Sequence, residues 1–160
     1  MTIRDIASFA PNTPSLRTQP DRWAVVRLPL NVIATAAVHI REGTLLGQLA
    51  EVRFTPIAYS FDYGDGTTNT VTDGGAGWVE LGLREFSETP TSHTFGTAGR
   101  YMVTVSVDYA AEFRHGGSPW TAVSGSLTIP TDTPLQVSVR EAKTVLVDRD
   151  CRHPRRGPGC

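Results

Sequence analysis

From Tyr101 the chain alternates without a break. Tyr101, Val103, Val105, Val107 and Tyr109 fall on one side, and Met102, Thr104, Ser106 and Asp108 on the other. A period of two is that of a half-buried β-strand, with one core face and one wetter face. Tyr59, Phe61 and Tyr63 repeat the pattern, with Ser60 and Asp62 opposed. Gly64-Asp65-Gly66 then stops the run with residues that tolerate positive φ, so a strand enters a tight turn there. Gly96 and Gly99 bracket another turn just before the Tyr101 strand, which makes the intervening chain return across the fold.

The rest of the chain fits the same class. Gly (15) and Pro (11) are frequent and Lys occurs once, a balance that favours strands and turns and predicts almost no helix. Residues 1–20, with Pro11, Pro14 and Pro20 among Ser, Thr and Asn, read as a flexible lead-in. Trp23 to Leu30 is the first convincing strand, which Pro29 ends or confines to an edge. The Ala run within Asn31 to Ile40 leaves helix or strand open. Gly43 to Gln48 and Ala50 to Pro56 are expected to pair, and Pro56 to break or bulge the route to the Tyr59 strand. Val123 to Ile129 and Leu135 to Val147 supply closing strands. No internal repeat is evident. The expected organisation is a lead-in over 1–20, one all-β body over 21–148 and a basic tail over 149–160.

Two segments carry a family resemblance. Tyr59-Ser-Phe-Asp-Tyr-Gly-Asp-Gly66 resembles the WDFGDG signature of polycystic kidney disease (PKD) domains. Ser92-His-Thr-Phe-Gly-Thr-Ala-Gly-Arg-Tyr-Met-Val-Thr-Val-Ser-Val107 resembles their HTY...GxYxVxLxV signature. The resemblance implies an immunoglobulin-like β-sandwich, usually an extracellular spacer or binding module. In it Tyr59, Phe61, Asp62, Gly64, Asp65, Gly66, His93, Phe95, Gly99, Tyr101, Val103 and Val105 are structural. Phe61 stands where the family has Trp, and Tyr63 where it has Phe, which adds a hydroxyl that needs a partner if buried. The interval between the motifs is long. Beyond Ala110 the chain is similar to small exported actinobacterial PKD-like proteins.

The formal charge of −1 conceals an asymmetry, because residues 149–160 carry four Arg against one Asp. The body is therefore mildly acidic, the reverse of a nucleic-acid binder with a basic aromatic face. No stretch approaches the roughly 20 apolar residues of a membrane helix, so no membrane span is expected. Met1 to Ala10 has no sustained apolar run either, so an export signal is expected to lie upstream of Met1, unless the chain stays in the cytoplasm. Cys151 and Cys160 flank a Pro- and Gly-rich segment and are expected to close a small disulfide loop in an oxidising compartment. Free thiols or a zinc site with His153 are alternatives, although the spacing matches no common finger.

Enzymatic signatures are absent: the chain has no GxSxG, HExxH or GxxxxGK[ST] run, and no Cys beside a plausible base. No cofactor is expected. Asp62, Asp65 and Asp73 allow a calcium cluster, but Gly64 stands where an EF-hand has its second ligand, and such Asp residues commonly lock turns. His39 and His115 have no visible partners. Trp78, after the Gly-rich stretch from Asp73 to Gly77, and Trp120, after His115-Gly-Gly-Ser-Pro119, sit in loops. There they either contact a ligand or cover the end of the core. The expected function is a non-catalytic, extracytoplasmic module that binds a protein or glycan of the cell envelope, with Trp78, Trp120 and Asp73 as candidate contacts. A structural spacer within a longer exported protein and a cytoplasmic protein are the alternatives.

Overall fold

The computed structural model of the chain describes residues 1–143. Cys151, Cys160, His153 and the basic tail lie outside them; the strand predicted from Leu135 to Val147 ends at Arg140, and its residues 144–147 lie outside them as well.

The described residues fold as an all-β immunoglobulin-like sandwich with a short helical turn, α1 (Ile3–Ile6), and a 3-10 turn, Ala7–Phe9, at their start. Its strands are β1 (Ser15–Gln19), β2 (Trp23–Val25), β3 (Pro29–Thr35), β4 (His39–Leu45), β5 (Gln48–Asp62), β6 (Thr68–Val71), β7 (His93–Thr94), β8 (Gly99–Arg114), β9 (Thr121–Pro130) and β10 (Leu135–Arg140). A three-stranded sheet has the order β1-β3-β7. The larger sheet runs β2-β10-β8-β5-β4, with β6 also on β5 and β9 also on β8.

The alternation read in the sequence positions the core. Val103, Val105 and Val107 are fully buried on β8, facing Leu30 and Val32 of β3, with Phe61 from β5 and Val137 from β10 in the same cluster. Both faces of β3 are covered, since Asn31 and Ile33 are buried as well. β8 and β5 pair antiparallel from Glu51↔Arg114 to Asp62↔Thr104, and the register slips between Pro56 and Ala58. That irregularity is the bulge expected at Pro56, which has no N–H to give the ladder.

Three expectations are corrected. Residues 1–14 and strand β1 are not a flexible lead-in. Ile6 is fully buried, Phe9 is 9% exposed, and β1 pairs with β3 over its whole length. The reason is a mismatch of sheet lengths: β8 is more than twice as long as β3, so half of the large sheet extends past the small one. Ile6 and Phe9 join the core cluster with Val52, Phe54 and Ala111 of that half, and Tyr109 Oη donates to Asn12 O at 3.1 Å. The predicted strand from Trp23 to Leu30 divides into β2 and the start of β3. Arg27 turns the chain at φ +69°, and Pro29 opens β3, where the ladder asks least of its nitrogen. The hairpin expected from Gly43 runs instead from His39 to Phe54, and Leu46 and Gly47, at φ +52° and +78°, form its two-residue turn.

Candidate functional site

The signature residues build a lock. Asp62 Oδ1 accepts from Gly64 N at 2.9 Å, and Asp65 Oδ1 accepts from Thr67 N at 3.1 Å and Thr67 Oγ1 at 2.5 Å. Asp65 Oδ2 lies 2.6 Å from His93 Nε2. The His93 ring stacks on Tyr63 at 4.3 Å, edges onto Phe95 at 4.6 Å, and Phe95 meets Tyr101 at 4.5 Å. The added hydroxyl of Tyr63 donates to Thr91 O at 3.0 Å, so its burial leaves nothing unsatisfied. Gly64 is required here: it sits at φ +81°, and a Cβ would stand 2.5 Å from Met102 O.

Burial works to raise the Asp65 carboxyl pKa, but the hydrogen bonds from Thr67 and His93 and the charge of His93 outweigh it and hold the group below its ordinary 3.8. Asp73 caps its own turn, accepting from Gly75 N at 2.9 Å. Among the described residues no three His, Cys, Asp or Glu side chains converge as metal ligands. Asp62, Asp65 and Asp73 each serve a backbone turn.

The two loop tryptophans lie far apart. Trp23 pairs through Ser138 to Arg100 at the start of β8, on the side of the Trp78 loop, whereas Trp120 lies against Arg114 at its end. The strand between Arg100 and Arg114 is roughly 45 Å long. Trp120 is half-buried. The Arg53 and Arg114 guanidinium carbons stand 4.5 and 4.3 Å from its ring centroid, and those arginines pair in turn with Glu112 and Glu51. Its π-face is thus occupied by the protein's own cations.

Trp78 is 5% exposed. Its indole N–H donates to Ser87 O at 3.0 Å and its backbone N–H to Gln19 Oε1 at 2.9 Å. The loop carrying it is fastened to β3 by buried Asn31, whose Nδ2 donates to Gln19 Oε1 and Ala76 O at 3.1 and 2.9 Å, and whose Oδ1 accepts from Thr89 Oγ1 at 2.9 Å. Gly74 permits the close approach, since a Cβ there would stand 2.1 Å from Ala34 O. Trp78 is therefore a wall of the fold, not a projecting contact.

What it walls is a cleft of about 580 Å³ lined by Gln19, Asp21, Trp23, Trp78, Glu85 and Phe86. Phe86 lies 5.6 Å from Trp78 and 6.3 Å, edge on, from Trp23. Trp23 stands at the mouth, 46% exposed. A large aromatic ring left half in water beside an open cleft is a surface that can take a ligand. Sequence reasoning placed Trp23 in a strand and passed over Phe86, Asp21 and Glu85. The available signal was the Pro20-Asp21-Arg22 break before Trp23, which marks it as the first residue after a turn and not as part of a continuous core strand.

His39 and His115 do have partners: His39 Nε2 accepts from Asn12 N at 2.9 Å, and His115 Nδ1 lies 3.1 Å from Leu49 O.

The profile of the PKD domain family matches residues 28–112, more than half of the 160. No curated protein and no solved structure gives a significant match. Gln19, Asp21 and Trp23 precede the matched span, and Trp120 follows it.

Proposed function

The chain belongs to the PKD domain family, and from that premise we propose that it is a non-catalytic, extracytoplasmic module that binds a protein or glycan of the cell envelope. Domains of this family are in general non-catalytic modules and typically extracellular. No helix among the described residues is long and apolar enough to cross a membrane. The observation that carries the binding reading is the open aromatic cleft on a rigid scaffold, with Trp23 at its mouth. Such clefts, with a few polar groups among aromatic walls, are where folded domains take ligands.

The reading shifts the contact surface from the loops of Trp78 and Trp120 to Trp23 and Phe86. Trp78 supports the wall and Asp73 holds the turn that precedes it. It needs no metal or other cofactor. Capture from envelope extract by the immobilised chain tests it, with protein and carbohydrate both analysed. A saturable partner supports the module reading. An empty result at high loading overturns it in favour of a spacer.

A further inference from the structure

The cleft has a chemical bias. Its walls are three aromatic rings, whose faces carry negative electrostatic potential, and its rim carries the carboxylates of Asp21 and Glu85. Among the described residues no cation forms an ion pair with either carboxylate. Arg17, which also lines the cleft, is turned toward Glu80 at 3.8 Å. Among the described residues the lining thus carries two carboxylates without an ion-pair partner against one cation, Arg17, beside its aromatic walls. At the Trp120 end the same ingredients are answered internally by Arg53 and Arg114.

The backbone holds this arrangement under strain. Arg22, immediately before Trp23, and Phe86 both adopt left-handed conformations, at φ +61° and +62°. For side chains of that bulk the region is costly, and it persists only where surroundings over-determine it. They do so here: Arg22 N donates to Thr18 Oγ1 at 2.8 Å, and Arg22 O accepts from Ser138 N at 3.0 Å. One of these residues precedes Trp23 and the other is Phe86 itself, the two rings of the cleft that are not fully packed. Stored strain of this kind clusters at binding sites.

Resting on the binding-module reading above, we propose that this cleft receives an arginine side chain from an extended basic segment of a protein partner. The guanidinium plane stacks on Trp23, which stands at the mouth with Phe86 edge-on beside it, and its N–H fork donates to Asp21 or Glu85. Arginine suits the site better than lysine because a planar, weakly hydrated cation stacks on aromatic faces and pairs with a carboxylate through two bonds at once. A neutral sugar would use the rings but leave the two carboxylates with only hydroxyls to answer them.

The test is a titration of the full chain, followed by the three indole N–H resonances, with the Trp23 signal assigned from Trp23→Phe. The probes are a Gly-Arg-Gly-Arg-Gly peptide and its citrulline counterpart, which keeps the shape and loses the charge. The Arg peptide is expected to move the Trp23 resonance saturably and leave Trp120 in place, and the citrulline peptide to have no effect. Asp21→Asn with Glu85→Gln is expected to weaken binding about tenfold, and so is raising the salt from roughly 50 to 300 mM.

Equal binding of the citrulline peptide overturns the inference. So does a Trp23 response to a neutral oligosaccharide with none to the Arg peptide, although that result leaves the binding-module reading standing. If envelope capture yields a Trp23-dependent partner while the Arg peptide fails, the inference alone falls. If it yields none, the module reading falls with it.

Discussion

Asp65 Oδ2 lies 2.6 Å from His93 Nε2, joining the Gly64-Asp65-Gly66 turn to the strand that enters the second signature. The contact ties the turn of the first motif to the returning chain of the second. The Asp fixes its own turn through Thr67 with one oxygen and reaches the returning chain with the other, while Tyr63 stacks beneath the imidazole.

Asp65→Asn is therefore expected to cost about 1.5–3 kcal/mol at pH 7, the range for a hydrogen bond to a charged group. The pH dependence has a definite sign. The folded carboxyl titrates below its ordinary 3.8, so its stabilisation is present above that value and is lost as pH falls through the folded pKa. Urea unfolding of both proteins between pH 7 and pH 2 should show the gap closing only below about pH 4. A constant gap would contradict the assignment.

The N-terminal segment is integral to the core. Phe9→Ala is expected to cost about 3–5 kcal/mol and Ile6→Ala about 2–5 kcal/mol in equilibrium unfolding. Removal of residues 1–14 would expose Val52, Phe54 and Ala111 at once. Unchanged stability in any of these variants would restore the flexible lead-in.

Asn31 is the fastener of the cleft wall. Asn31→Leu leaves Ala76 O and Thr89 Oγ1 without their partner and should destabilise by about 1–3 kcal/mol. Amide exchange across residues 74–91 should accelerate more than exchange in β8, because the loop loses its anchor while the valine core remains. Uniform acceleration would show that Asn31 acts on the whole fold.

The three tryptophans should separate by stability. Trp78→Ala should lose about 3–5 kcal/mol as a core truncation. Trp120→Ala should lose about 1–2 kcal/mol, with Arg53 and Arg114 keeping their carboxylates. Trp23→Ala should change stability by no more than about 1 kcal/mol. Thermal melts of the three variants check the order.

The parts of the fold that were legible obey one period. Tyr101 to Tyr109 and Tyr59 to Tyr63 alternate strictly, and burial follows the alternation for every valine. Elements set by tertiary demand were not legible. Leu46 at φ +52° is no turn signal, so the hairpin was displaced. Ile6 and Phe9 sit among Pro, Ser and Asn, and only the excess length of β8 over β3 gives them a surface to cover.

The candidate site divides the same way. The loop holding Trp78 was legible from its glycines, yet which tryptophan faces water depends on Asn31, Gln19 and two positive-φ residues that no local pattern announces.

The most direct test is partner capture by Trp23→Ala, compared with the unaltered chain at matched concentration and with melting checked. The account predicts that the variant melts within a few degrees of the parent and loses the saturable envelope partner. Full retention of that partner by a folded Trp23→Ala chain would contradict the claim that the cleft is where this domain binds.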